Sequence, residues 1–275
     1  MAKDSQVVEQ LIRAAQNGKA VTAFVELKAR FDEESNIRRA EEMQKAGARV
    51  FYSFPDLKVH AKMCLVSGRE NEKPVLSGYL SRGNFNEVAA RQYTDFGLFT
   101  SDPRITGEMQ RVFNILNRNR DRGDFEHLLV APFSLRERLE EMIDAEIKRA
   151  KNGEPAAIIA KMNSLEDSRM ITKLYEAGEA GVKISLIVRG IWRLVPGVRG
   201  VSRNIEVISI VDRFLEHPRV YIFHNGGDEL CYLSSADWMK RNLSHRIEVA
   251  FPLYHPGPKK TLRSIIDLLR WSPWI

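Results

Sequence analysis

His60 and His217 are each followed two residues later by a cation, Lys62 and Arg219, and each pair opens the same succession of residues. His60-Ala61-Lys62 leads into the apolar run Met63-Cys64-Leu65-Val66, a polar turn, and then Leu80-Ser81-Arg82-Gly83-Asn84. His217-Pro218-Arg219 leads into Val220-Tyr221-Ile222-Phe223, the turn Asn225-Gly226-Gly227, and then Leu233-Ser234-Ser235-Ala236-Asp237. A histidine, a cation, a β-run, a hairpin and a small polar turn therefore occur twice. Residues i and i+2 of a strand face the same side, so each imidazole is expected to share a face with its cation. That combination suits phosphoryl transfer. A neutral imidazole attacks phosphorus to give an N-phosphohistidine, and fixed cations offset the charge of the non-bridging oxygens.

Other chemistries fit less well. No Cys or His pair has zinc-ligand spacing, and histidines flanked by cations repel a dication. There is no G-x-S-x-G nucleophile elbow and no G-x-x-x-x-G-K-[ST] phosphate loop. His127, His224, His245 and His255 have no counterpart in the other copy and read as structural. His60 and His217 are expected to meet in one cleft, because duplicated halves place equivalent residues about a pseudo-two-fold axis. The surrounding cations Lys62, Arg82, Arg91, Arg189, Arg213, Arg219, Lys240 and Arg241 are then expected to hold a polyanion.

The elements that must position these residues repeat as well. A strand at Val21–Leu27, a helix at Asn36–Ala46 ending at Gly47, and a strand at Ala48–Tyr52 form the first set. The second set is a strand at Ala157–Met162, a helix at Ser168–Ala180 ending at Gly181, and a strand at Val182–Val188. Strand, helix, glycine stop and strand make a βαβ unit with parallel strands. The fold class is thus α/β: two tandem domains related by internal duplication, with the seam between residues 105 and 135. Two helices, Ile105–Asn117 and Leu135–Lys151, flank a charged linker at Asn117–Asp124, and a last helix spans Pro258–Leu269. The tryptophans of the tail, Trp271 and Trp274, receive no role.

With 275 residues, 44% of them hydrophobic, the chain has material for about two domains. The net charge of +6 predicts an acidic partner. No apolar run approaches the roughly 18 residues of a membrane span, and no secretory signal pattern is present. Cys64 and Cys231, both within apolar β-type runs, fit a reducing cytosol better than a disulfide framework. A cytoplasmic location is expected, with peripheral membrane association left open.

The histidine frame resembles the phospholipase D superfamily, whose H-x-K is followed by an aspartate. Here that position is Ser67 in the first copy and His224 in the second, which argues against diester hydrolysis. Longer strings are similar to polyphosphate kinase: Val25 to Glu34, Lys58-Val59-His60-Ala61-Lys62, and Tyr93-Thr94-Asp95-Phe96-Gly97-Leu98-Phe99-Thr100. So are Leu186 to Ile191, Ser209 to His217, and Ser234-Ser235-Ala236-Asp237-Trp238-Met239. The similarity runs to about Leu269 and corresponds to that family's two phospholipase D-like C-terminal domains, at 1–125 and 126–275.

The resemblance implies reversible transfer of the terminal phosphate of ATP to inorganic polyphosphate through a phosphohistidine, with Mg2+. It implies that His60 is the phosphorylated residue and that Tyr93, Arg189 and His217 contact ATP. Lys62, Arg219 and Asn84 join the phosphate-binding set, and His217 is expected to act as a general acid near its own pKa, with Glu216 pointing away. Arg30 falls on a magnesium-site position. A guanidinium has no lone pair to offer, so Arg30 would bind phosphate oxygens that themselves hold the metal. ATP or ADP and polyphosphate are the implied partners, with homo-oligomer formation in the longer protein and no stable nucleic-acid partner.

The departures are specific. A second magnesium-site arginine would lie just before Met1, which favours an excised piece of a longer protein over a naturally short one. The family's N-terminal and head domains have no counterpart here. The usual Thr-Gly-Asn turn is Arg82-Gly83-Asn84. Trp192 replaces the usual Cys and either stacks on adenine or fills space. Two competing readings remain: a phospholipase D-like phosphodiesterase or nuclease, and a non-catalytic polyphosphate-binding module.

Overall fold

Buried positions Asn36, Arg39, Ala40 and Met43 recur at helical spacing, which gives the first half a helix with one face to cover. The computed structural model describes residues 5–26, 33–52, 57–117 and 124–271. Arg30, most of the charged linker and Trp274 lie outside these residues. In the first half, α1 (Gln6–Gln16), β1 (Thr22–Val25), α2 (Glu33–Lys45) and β2 (Arg49–Tyr52) come first. β1 and β2 pair in parallel, Thr22 opposite Arg49, as the βαβ pattern predicts. Gly47, at φ 96°, makes the left-handed turn between α2 and β2. Val8, Val25, Ala40, Met43 and Ala48 form a small core of their own.

The histidine region follows as β3 (Lys58–Val59), β4 (Lys62–Glu70) and β5 (Lys73–Ser81). Asn71 and Glu72, both at positive φ, form the two-residue hairpin turn between β4 and β5. Then come α3 (Glu87–Ala90), β6 (Tyr93–Thr94), β7 (Gly97–Thr100) and α4 (Pro103–Leu116). α4 has Asp102 as its side-chain N-cap and Pro103 in its first turn.

The second half runs through β8 (Leu129–Ala131), α5 (Leu135–Lys151), β9 (Ala157–Met162), α6 (Ser168–Glu179), β10 (Lys183–Val188) and β11 (Ile205–Ile208). It continues as β12 (Leu215–Glu216), β13 (Arg219–Phe223), β14 (Leu230–Ser234), α7 (Lys240–His245), β15 (Arg246–Pro252) and α8 (Pro256–Trp271). One sheet has the order β11-β10-β9-β13-β14-β15-β3, with β8 also on β15. The sheet is covered on both faces, which is why β13 and β14 read as unbroken apolar runs. Tyr221 and Phe223 meet Leu139 and Leu174 in one core. Val220 and Ile222 share the other with Met109 of α4 and Ile266 of α8. Because α4 belongs to the first half, the two halves share a core.

Two expectations need correcting. The histidines do not lie within strands: each sits in a two-residue break, His60 between β3 and β4, His217 between β12 and β13. Strand alternation therefore does not govern the histidine and its cation. The other correction concerns starts, since α2, α4 and α8 begin two or three residues earlier than the apolar periodicity shows. Capping and first-turn residues are polar or Pro and carry no apolar signal. Among the described residues no helix is long and apolar enough to cross a membrane.

Candidate active site

Each break is fixed by a short parallel pairing that crosses between the halves. β3 pairs with β15, Lys58 opposite Arg246 and Val59 opposite Ile247. β12 pairs with β6, Leu215 opposite Tyr93 and Glu216 opposite Thr94. Continuing each register by one residue brings His60 to Glu248 and His217 to Asp95. The side chains meet there. His60 Nδ1 lies 2.9 Å from Glu248 Oε2, and His217 Nδ1 lies 2.8 Å from Asp95 Oδ2. Each half thus supplies the carboxylate that orients the other half's histidine. A ring whose Nδ1–H donates to a carboxylate keeps Nε2 unprotonated and free.

The cations hold the breaks from behind. Lys62 Nζ donates to the His60 carbonyl at 2.5 Å, and Arg219 Nη1 donates to the His217 carbonyl at 2.7 Å. Two further donors of Arg219 fork onto Asp237, at 3.0 Å from Nε and 2.7 Å from Nη2. Asp237 also accepts the backbone N–H groups of Asn163 and Ser164. Glu248, fully buried, accepts in addition from Ser235 Oγ at 2.5 Å and Asn242 Nδ2 at 2.6 Å. Every oxygen of this buried carboxylate is satisfied.

The electrostatics favour neutral rings. Burial pushes His60 down to about 4; Glu248 opposes the fall, and Lys62 and Arg82 add to it. Burial likewise pushes His217 down to about 4 against its bond to Asp95, with Arg82 and Arg219 adding to the fall. Burial alone would raise Glu248, but the His60 ring, Lys62 and Ser235 outweigh it and hold the carboxyl below its usual range. Asp237 is held low in the same way, by Arg219 against its own burial. The His217 ring is therefore neutral at pH 7 in the empty site.

Both histidines line one cavity of about 260 Å³, with Arg82, Tyr93, Asn163, Arg189, Arg219, Asp237, Arg241, Asn242 and Arg246 among its walls. The Tyr93 ring sits 4.9 Å from the His217 ring, centroid to centroid. Arg189 donates to Asn163 Oδ1, and its Nε is buried without a partner. Among the expected residues, His60, His217, Tyr93, Arg189 and Arg219 are brought together. Lys62 stands behind the His60 carbonyl. Asn84 is exposed and outside the lining, whereas Asp237, at the same place in the other turn, is buried in it. Arg91, Arg213, Lys240 and Trp192 are not part of the wall. His127 pairs with Tyr254 and His255 accepts from the N–H of Gly257, both outside this cavity. Glu216 points to Lys161 at 3.1 Å, away from His217 as expected.

Sequence reasoning missed Asp95, Glu248, Asn242 and Arg246. A signal for the first two exists: Asp95 and Glu248 each follow the turn residues Asn84 and Asp237 by eleven positions. Among the described residues no group of three His, Cys, Asp or Glu could hold a metal ion. The carboxylates at the cavity are committed to His60, His217 and Arg219. A magnesium centre built from protein ligands does not fit these residues.

Family models described as "Polyphosphate kinase C-terminal domain 1" and "Polyphosphate kinase C-terminal domain 2" match residues 1–122 and 128–271. The chain is 50% identical over 269 residues to polyphosphate kinase of Escherichia coli (strain K12), covering 98% of this chain and 39% of that protein. It is 48% identical over 265 residues to polyphosphate kinase of Halalkalibacterium halodurans, covering 96% of this chain and 38% of that protein. The chain thus spans well under half the length of these relatives. The crystal structure of polyphosphate kinase from Porphyromonas gingivalis superposes with a TM-score of 0.88 at 46% identity, over 98% of this chain and 41% of that one. Phosphatidylserine synthase of Haemophilus influenzae shares the fold alone, with a TM-score of 0.56 at 10% identity over 97% of this chain and 84% of that one. The architecture is two tandem α/β domains.

Proposed function

Since the chain belongs to the polyphosphate kinase family, we propose that it carries the phosphotransfer centre of such an enzyme, moving the terminal phosphate of ATP reversibly onto inorganic polyphosphate through His60. The observation that supports this best is the crossed pair of histidine–carboxylate contacts around one cationic cavity. His60 Nε2 attacks the terminal phosphorus of ATP, the bond from that phosphorus to the bridging oxygen breaks, and ADP leaves with the oxygen. A terminal phosphate oxygen of polyphosphate then attacks the phosphohistidine, and the N–P bond breaks to regenerate the neutral ring.

Arg189, Arg219, Arg241 and Arg246 neutralise the phosphate oxygens, and Tyr93 and Arg189 border the nucleotide. His217 takes up a proton from solvent on Nε2 as negative charge gathers beside it, and then donates that N–H to an oxygen of the phosphoryl group in transit. Magnesium, where it takes part, would be held by the nucleotide's own phosphates rather than by protein carboxylates, and would offset their charge. Incubation with terminally radiolabelled ATP and magnesium tests the proposal. An acid-labile, alkali-stable label on His60 supports it. Cleavage of a nucleic-acid strand would support a diesterase instead, and polyphosphate binding with neither outcome a non-catalytic module.

A further inference from the structure

The two copies differ at one wall position of the cavity. The turn after β14 places Ser235 beside Glu248 and satisfies that carboxylate with a hydroxyl. The matching residue in the turn after β5 is Arg82. No carboxylate among the described residues closes an ion pair with Arg82, and its Nε is buried without a hydrogen-bond partner. Its charge nevertheless reaches both histidines, Lys62 and Asp237. Arg82 lines the same cavity as both rings, where the phosphoryl group must pass. Burial and the neighbouring Arg219 push it down to about 10, and Asp237, Glu248 and Asp95 only partly offset them. A guanidinium kept in such a place without an anion is a cost to the empty protein, and it presents a rigid fork matched to two phosphate oxygens.

We propose that Arg82 is a phosphate-binding residue of this chain, gripping two non-bridging oxygens of a phosphate lying between His60 and His217. This inference deepens the phosphotransfer reading above and rests on it for the identity of the substrate, a chain of phosphates.

Calorimetry with inorganic tripolyphosphate, without nucleotide, tests it in the His60→Ala protein, where no transfer occurs. Arg82→Ser, which installs the hydroxyl of the other copy, should weaken tripolyphosphate by roughly 10- to 100-fold, the scale of a charge-assisted hydrogen bond. Arg82→Lys, which keeps the charge but not the fork, should fall between the two. The thermal midpoint of the empty Arg82→Ser protein should hold or rise, since an uncompensated buried charge is removed, whereas a structural arginine would lower it. Unchanged affinity in Arg82→Ser, or Arg82→Lys binding as tightly as Arg82, overturns the proposal. Failure of the two readings is distinguishable. Absent phosphohistidine in the unmodified protein with an affinity loss in Arg82→Ser removes the kinase and keeps the grip. Labelling with unchanged affinity does the reverse.

Discussion

Burial and neighbouring cations hold His60 and His217 near a pKa of about 4, against about 6.5 for a free imidazole. The unfolded chain therefore binds more protons than the folded one between those values, and stability must fall as pH drops from about 6.5 through 4. Each ring accounts for on the order of 3 kcal/mol over that window. Thermal midpoints taken from pH 7 to pH 4 should show the decline, and a His60→Gln, His217→Gln double variant should flatten it. An equal slope in the variant would place the acid sensitivity elsewhere. Substitutions at the two rings should also differ in kind. His60→Ala should abolish covalent labelling, whereas His217→Ala should slow it by roughly 10²–10⁴-fold, the usual worth of acid–base help. Label persisting in His60→Ala and vanishing in His217→Ala would exchange their roles. The rings themselves are legible in the sequence because each recurs with a cation two residues on. Their carboxylates share an eleven-residue offset from the turns, but the pairing of each with its ring is not legible, because the partner lies in the opposite copy, more than a hundred residues away.

Among the elements, the turn after β5 sets how closely Asp95 approaches. A Cβ built on Gly83 would lie 2.6 Å from Asp95 Oδ2, so Gly83→Ala has to push that carboxylate away from His217. Asp95→Asn should cost up to about 10⁴-fold in labelling rate, as when the carboxylate partner of a catalytic histidine is lost and the tautomer with it. Gly83→Ala should reproduce part of that loss with little change in fold, read by labelling rate beside circular dichroism. Full activity in Gly83→Ala would show that Asp95 has room to move without consequence. The βαβ units and both hairpins follow from periodicity and glycine stops, since local pattern decides them. The breaks at His60 and His217 do not. A strand that leaves one pairing and joins another two residues later still reads as one alternating run, and Pro218 alone hints at the interruption. Asn84 stands outside the cavity lining for a related reason. The turns match in sequence, but only the second turns its polar residue, Asp237, into the cavity.

At the scale of the molecule, which carries a net charge of +6, Arg189, Arg219, Arg241 and Arg246 line one cleft. Tripolyphosphate affinity should accordingly fall by roughly one to two orders of magnitude between about 50 and 200 mM salt, as neutralised phosphates release their counterions. A flat dependence would mean that the cations are solvated surface. The duplication was legible from repeated histidines. The meeting of the two histidines in one cleft was legible as well, but the shared core and the crossing of each carboxylate to the other copy's ring were not, since no repeat within one half shows what crosses to the other. That crossing bears on inheritance. A chimera that joins residues 1–117 of this chain to the second half of a relative brings a foreign carboxylate to His60 and presents Asp95 to a foreign His217. Residues that must change in step therefore lie on opposite sides of the seam, His60 with Glu248 and Asp95 with His217. A breeder of hybrid enzymes would find the natural crossover point between the domains to be a place that separates partners, while exchanges of segments that carry none of these four residues leave both pairs together.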